Sequence, residues 1–469
     1  MTGRMDTNGN EPKGVGADSK RCDAVRYVPL VTALKLEWYE DLARSAAVRS
    51  LWWVVVLALL ARASVACMYA DTNPATAQIW EYGDTARESM GYPGIVRVRP
   101  LAGGGEFVYP TAFMPPLPVF LDLAVFGLLG VTSAALKVLI GLNVVFGSQV
   151  VLWTGRVAQR MFGSRLISLL AACFCAINPV FVFSAATYHA VNLYLLLFLV
   201  MFDAMTREDT APAATVVVAG AAWGLAILAR TEYLVLGAVM VIWAAMHGRQ
   251  WRRAAVTMIV AALFVVPWTV RNYEVFGRFI PVADSVGYNL YKGFNPEANG
   301  SGHWVDINGV ARRRLGPALA AVPHVRNYEV LTDGVYLHGA LEFIRSAPAP
   351  ELAELAVKKV FLFWIFDVHD PTTHRLLYQL AVWPTIILPL LAGVVLARNP
   401  GVHGPALWLV LVLFCAETVV MAAYAVHARY RMNVEPFLFA FCAVGLAACM
   451  GWIRQLRAGG LRWSVRWKP

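Results

Sequence analysis

The sequence predicts an all-α integral membrane protein, a polytopic helical bundle of about ten spans with interfacial helices and two long non-cytoplasmic loops. Three observations carry that expectation. Of 469 residues, 58% are hydrophobic and 15% charged, against about a quarter charged in soluble domains. Apolar runs close to the ~20 residues needed to cross hydrocarbon recur along the chain. Lys and Arg gather at alternate ends of those runs, as the preference for positive charge on the cytoplasmic side requires.

Taken in order, residues 1–48 are polar, mixed in charge and without the apolar core of a signal peptide, so they read as a cytoplasmic leader. LKLEWYEDLARSAAVRSLWW has the pattern of an amphipathic helix running into the first span. The multispanning region is expected over 49–452. Its spans are expected at 51–70, 134–155, 165–184, 188–205, 213–229, 231–246, 254–270, 376–397, 405–426 and 433–452. PPLPVFLDLAVFGLLG (115–130) is short and holds Asp122, so it reads as a helix in the outer interface. The connections 155–165 and 247–253 and the tail 453–469 are basic and therefore cytoplasmic, which puts both termini inside. Loop one (71–115) and loop two (271–375) then face outward. Loop two is basic, but long translocated segments escape the charge rule. Both loops read as mixed helix and irregular chain, and no solenoid repeat is visible.

The formal charge of +10 follows from this topology, since no soluble basic domain gathers it into a nucleic-acid face. Of seven cysteines, Cys67, Cys173, Cys175, Cys415 and Cys442 lie in or beside apolar runs. Cys173-x-Cys175 has neither zinc nor redox spacing, so these thiols read as small hydrophobes.

Four stretches can carry chemistry. In AQIWEYGDTARESMGYPG, a helix puts Glu81, Asp84 and Glu88 on one face and Arg87 within reach of Asp84. A partly desolvated carboxylate at a membrane surface is a usable general base, and a solvated helix face is the competing reading. PWTVRNYEVFGRF follows an apolar helix, so Arg271 falls at headgroup depth, where a guanidinium can hold a phosphate through two directed hydrogen bonds. Tyr273, Arg278 and Lys292 are further candidates there, against simple anchoring in the interface. AVHARYRMNVEP crowds His427, Arg429, Tyr430 and Arg431 into a short outer link, where positive charge opposes the orientation bias and asks for an anionic ligand. Glu417, inside a span, needs a polar partner such as Lys137 or Arg62, or a functional role. DVHDPTTHR offers Asp367, His369, Asp370 and His374, but the spacing fits no zinc signature and a turn explains it. Asn299-Gly300-Ser301 matches a glycosylation sequon, a triplet that also arises by chance.

The order of these pieces, an acidic WEYGDTARESMGYPG block after span one, PPL, PW-x-x-RN-x-x-x-FG-x-F, then RYR near the end, resembles the bacterial GT-C glycosyltransferases. Within that superfamily it is similar to the protein O-mannosyltransferase and lipid A aminoarabinose transferase group. The resemblance covers about residues 50–452. It implies a bacterial inner-membrane enzyme that moves a sugar from a polyprenyl-phosphate donor to a lipid, glycan or protein acceptor on the non-cytoplasmic face, with inversion. Membrane lipids are its surroundings, and nucleic acid has no part. It also implies an acidic residue of loop one at the reacting centre, which falls on Glu81 or Asp84, with Asp71 an outsider. Two departures are visible: the carboxylates are spaced rather than paired, and Met114 stands where several relatives have a basic residue or His before PPL. Phosphate contact is then expected from Arg271, Arg429 and Arg431, with Tyr273, Arg278 and His427 beside them. No organic cofactor is implied, and a divalent metal stays an open question. A flippase of lipid-linked sugar, or a surface-polysaccharide polymerase or ligase, is the alternative.

Overall fold

The computed structural model describes residues 37–457 apart from 102, 208–212, 248–249, 304–306 and 400–403. The leader expected over 1–48 therefore lies outside the described residues up to 36, as does the tail beyond 457. The first apolar run sits on one continuous helix, α1 (Glu37–Tyr69). Loop one follows, with α2 (Trp80–Ser89) and the strands β1 (Val96–Pro100) and β2 (Glu106–Pro110). The bundle continues through α3 (Pro116–Leu129), α4 (Ser133–Phe162), α5 (Arg165–Ile177), α6 (Pro179–Ser184), α7 (Val191–Met205), α8 (Ala213–Ala229), α9 (Tyr233–Met246) and α10 (Trp251–Phe276). Loop two holds α11 (Val286–Gly293), α12 (Ile307–Ala320), α13 (Tyr328–Ser346) and α14 (Ala349–Trp364). Helices α15 (Leu376–Val382), α16 (Pro384–Arg398), α17 (Pro405–Ala423) and α18 (Glu435–Arg457) close the described chain.

Among the described residues six helical stretches are long and apolar enough to cross a membrane: Leu51–Tyr69, Ser133–Phe162, Trp251–Phe276, Leu376–Arg398, Pro405–Ala423 and Glu435–Arg454. Helices α3, α5, α7, α8 and α9 are apolar but shorter. The all-α membrane bundle expected from the sequence is the architecture observed. Central to it is α18, whose Phe439, Ala440, Ala443 and Val444 have no exposed surface. Helices α8 and α10 approach closely through Gly220 and Gly224. A Cβ at those positions would sit 2.6 Å from the Thr257 carbonyl oxygen and 2.8 Å from that of Ala261, so the small side chains let two backbones meet.

Two local departures from the expected pattern stand out. The span expected over 165–184 is broken between α5 and α6, because Pro179 brings no N–H and Asn178 Oδ1 accepts from Val180 N at 3.0 Å. The carbonyls left at the end of α5 are taken by Arg62 of α1, fully buried, whose guanidinium donates to Cys175 O (3.1 Å) and Ala176 O (3.3 Å). Loop one holds an antiparallel hairpin, pairing Val96 with Pro110 through Pro100 with Glu106, where irregular chain was expected. The segment 115–130 forms the short helix α3, as its length implied.

Candidate active site

The strip PWTVRN works as a clasp. Trp268 and Asn272 stand one turn apart on α10, and both donate to the chain that folds back beyond Gly277, which ends the helix at φ 66°. Trp268 Nε1 donates to Val282 O at 2.7 Å, and Asn272 Nδ2 to Ile280 O at 3.0 Å. Arg271 reaches loop one instead: its guanidinium donates to Thr111 O (3.1 Å) and Ile95 O (3.2 Å) and lies over the Trp268 ring at 4.7 Å. Glu329 of α13 completes the junction, accepting from Thr111 Oγ1 and from Ala112 N at 2.7 Å. Loops one and two are thereby fastened together at one end of the bundle.

The link after α17 joins them there. Ser301 of loop two and Val426 form a parallel bridge, with Gly302 N donating to Val426 O at 2.7 Å. The result puts His427 Nε2 2.9 Å from Lys292 Nζ. Arg429 lies over Trp80 at 5.0 Å, one residue from Glu81. His189, on the link before α7, makes a T-shaped pair with Trp80, the ring centroids 5.4 Å apart. Trp80 is the one non-glycine described residue with positive φ, at 57°, so the backbone is strained where these groups meet.

Charge in this pocket is lopsided. Glu81 is open to solvent, yet its carboxylate makes no hydrogen bond or ion pair among the described residues. Although its surface is exposed, the protein packed around the carboxyl still desolvates it enough to push it up, against the pull of Arg97, Lys292 and Arg429. Burial lowers Lys292 to about 8, with Arg429 adding to the fall and Glu81 opposing it. His427 falls to about 2 through burial and then the charges of Arg429 and Lys292, so it is neutral and accepts a hydrogen bond from the lysine. His189 is lowered for the same reasons, by burial first, then Arg429 and Arg230, and its Nδ1 is buried without a partner. Arg429 has no carboxylate partner among the described residues, and its Nε is buried without an acceptor. Two cations are therefore coupled electrostatically to one carboxylate, an excess of positive charge that suits an anionic ligand.

A buried network holds the cationic link from behind. Arg230 pairs with Glu232 at 2.9 Å, donates to Tyr194 Oη at 2.7 Å and stacks over Tyr430 at 4.5 Å. Asn433 donates to Glu232 and, at 2.9 Å, to Glu417, which thus finds an amide partner rather than Lys137 or Arg62. Beside His189 opens a cleft whose walls combine Leu121, Leu139, Leu142, Phe146 and Leu193 with the polar Asp122, Asn143 and Thr187.

The expected site residues separate into two groups. Glu81, His427 and Arg429 come together. Arg271 and Arg431 are put to other uses. The first grips backbone carbonyls, and the second is buried against Thr385 Oγ1 at 2.8 Å and Glu435 at 3.7 Å. Asp84 pairs with Arg87 at 3.2 Å, as the helical spacing implied. Tyr273 and Arg278 are exposed at the far end of α10 and make no hydrogen bond, ion pair or ring contact with the Glu81 group among the described residues. Asp71 is absorbed in a turn, accepting from Asn73 N. Asp367 accepts from Ser301 Oγ and Asp370 caps Thr372 N, so both serve the turn before α15. Sequence reasoning missed Trp80, His189 and Arg230. The available signal was polar or aromatic residues beside short links between apolar runs.

No protein-family profile matches the chain, and no curated protein matches it by sequence. Among solved structures it is similar to the archaeal oligosaccharyltransferase AglB from Archaeoglobus fulgidus, in complex with an inhibitory peptide and a dolichol-phosphate. The identity is 14%, covering 89% of this chain and 52% of that one, with a TM-score of 0.51. The same enzyme tethered to an acceptor peptide containing the NVT sequon gives 13% identity, 89% and 52% coverage and a TM-score of 0.51. ArnT from Cupriavidus metallidurans bound to undecaprenyl phosphate overlays more loosely, with 14% identity, 86% and 78% coverage and a TM-score of 0.39. The chain spans about half the length of the archaeal enzyme. Its fold is that of the GT-C membrane glycosyltransferases.

Proposed function

We propose that this protein is a membrane glycosyltransferase that takes a sugar from a polyprenyl-phosphate donor and passes it, with inversion, to an acceptor on the non-cytoplasmic face. The observation carrying this reading is that Glu81 lies within electrostatic reach of both Arg429 and Lys292, at the end of the bundle where the two long loops join. The acceptor's nucleophilic atom bonds to the anomeric carbon from the side opposite the phosphate, as the bond from that carbon to the phosphate oxygen breaks. Glu81 takes the proton the nucleophile sheds. The departing lipid phosphate keeps the electron pair, and Arg429 with Lys292 faces the negative charge that grows there. Neutral His427 orients Lys292, and Arg271 acts one step back by holding loop one in place.

The fold shared with an enzyme captured with dolichol-phosphate supports a polyprenyl donor, and the leucine and phenylalanine side chains of the cleft beside His189 offer apolar surface for its chain. The test is glycosyl release: purified protein, radiolabelled polyprenyl-phosphate sugar and acceptor extract should yield free polyprenyl phosphate. A protein that only flips the lipid yields none, and that result would retire the transferase reading.

A further inference from the structure

The end of the bundle away from the Glu81 pocket carries a second charged construction. Helix α7 begins beside His189 and runs about 18 Å, at 1.5 Å per residue, from Val191 to Asp203. There one carboxylate meets three guanidinium groups. Arg160 Nε donates to Asp203 Oδ1 at 3.0 Å, while Arg207 Nη2 (2.7 Å) and Arg156 Nη2 (3.3 Å) both donate to Oδ2. The Asp203 side chain is 2% exposed, whereas those of Arg156, Arg160 and Arg207 are 39%, 35% and 29% exposed.

We propose that these three arginines form a binding site for the phosphate of an anionic phospholipid headgroup. A buried carboxylate needs compensation, but one guanidinium supplies it, and the arrangement leaves a surplus of two positive charges facing outward. Asp203 acts as a pin that fixes three long side chains side by side, removing the entropy cost each would otherwise meet on binding. Among the described residues Arg160 commits only Nε, and Arg156 only one terminal nitrogen, so both keep N–H groups for phosphate oxygens.

Position argues for a lipid source over a soluble one. Arg156 and Arg160 sit near the end of α4, a helix of spanning length, and Arg253 near the start of α10, another, donates to Arg207 O at 3.3 Å. Arg156 lies over the Trp153 ring at 4.4 Å, an aromatic–cation pair of the kind that settles at headgroup depth. The proposal stands apart from the sugar chemistry at the other end and does not depend on it.

Native mass spectrometry of the full chain, exchanged from detergent with phosphatidylglycerol or phosphatidylcholine, tests it. The expected result is retained phosphatidylglycerol on the parent protein and at least a tenfold loss of that adduct in Arg156→Gln/Arg160→Gln, in which Arg207 still neutralises Asp203. Phosphatidylglycerol should raise the melting temperature of the parent and not of the variant, and millimolar inorganic phosphate should raise neither. Should the double variant fail to fold, Arg156→Gln alone is expected to lose part of the adduct. Equal adducts in parent and variants, no preference for phosphatidylglycerol over phosphatidylcholine, or a shift of the same size from inorganic phosphate would each overturn the assignment.

Discussion

Lys292 Nζ donates a hydrogen bond of 2.9 Å to Nε2 of His427, joining loop two to the link after α17 through a cation and a neutral base. Because His427 stays unprotonated down to about 2, the lysine always has its acceptor, and only its own charge varies.

That relationship sets a pH profile. Glu81 is raised above the usual carboxylate range, so its active, ionised form is lost as pH falls through that raised value. Lys292 loses its proton as pH rises through about 8. Turnover should therefore be bell-shaped with an alkaline limb near 8, and Lys292→Arg should displace or remove that limb, because an arginine keeps its charge. An alkaline limb that stays at the same pH in the arginine variant would disconnect Lys292 from catalysis.

Glu81→Gln is expected to lower turnover about 10²–10⁴-fold, the usual reach of a positioned general base. Arg429→Ala should cost about 10²–10³-fold, as removal of a donor aimed at developing charge does elsewhere. Both variants should keep the parent's melting temperature, since neither side chain forms an ion pair among the described residues. Release of polyprenyl phosphate is the assay.

Trp80→Gly separates stability from function. Glycine relieves the positive φ of 57°, which costs a non-glycine residue about 1 kcal/mol or more. The same change removes the ring beneath Arg429. Thermal stability should hold or rise while donor KM climbs; a variant with falling stability and unchanged KM would contradict both halves.

Arg271→Ala should destabilise the fold, by about 2–4 kcal/mol for two charge-assisted hydrogen bonds to backbone carbonyls. Calorimetric melting checks this. If melting is unchanged and only turnover falls, Arg271 meets substrate directly after all.

The helices that span or enter the bundle were legible because hydrocarbon demands long apolar runs, and their ends show as Gly, Pro or charge. That Glu81 and Asp84 share a short helix after the first span was legible too, from their spacing. Whether Arg271 would seize a phosphate or a carbonyl was not, because that depends on where Ile95 and Thr111 come to rest after folding. The hairpin hid for a different reason: VRVRP alternates but EFVYP does not, and a five-residue strand leaves little periodicity to read. The Lys292–His427 contact joins distant parts of the chain, so no local pattern could announce it.

The parallel bridge between Ser301 and Val426 also orders events during synthesis. Ribosomes deliver Glu81 and its helix early, but the opposing guanidinium arrives only when the segment carrying Arg429 has emerged and stitched itself to residues 300–302. A nascent polypeptide halted before residue 427 would insert most of its bundle and still possess no anion trap, so competence should switch on late in translation.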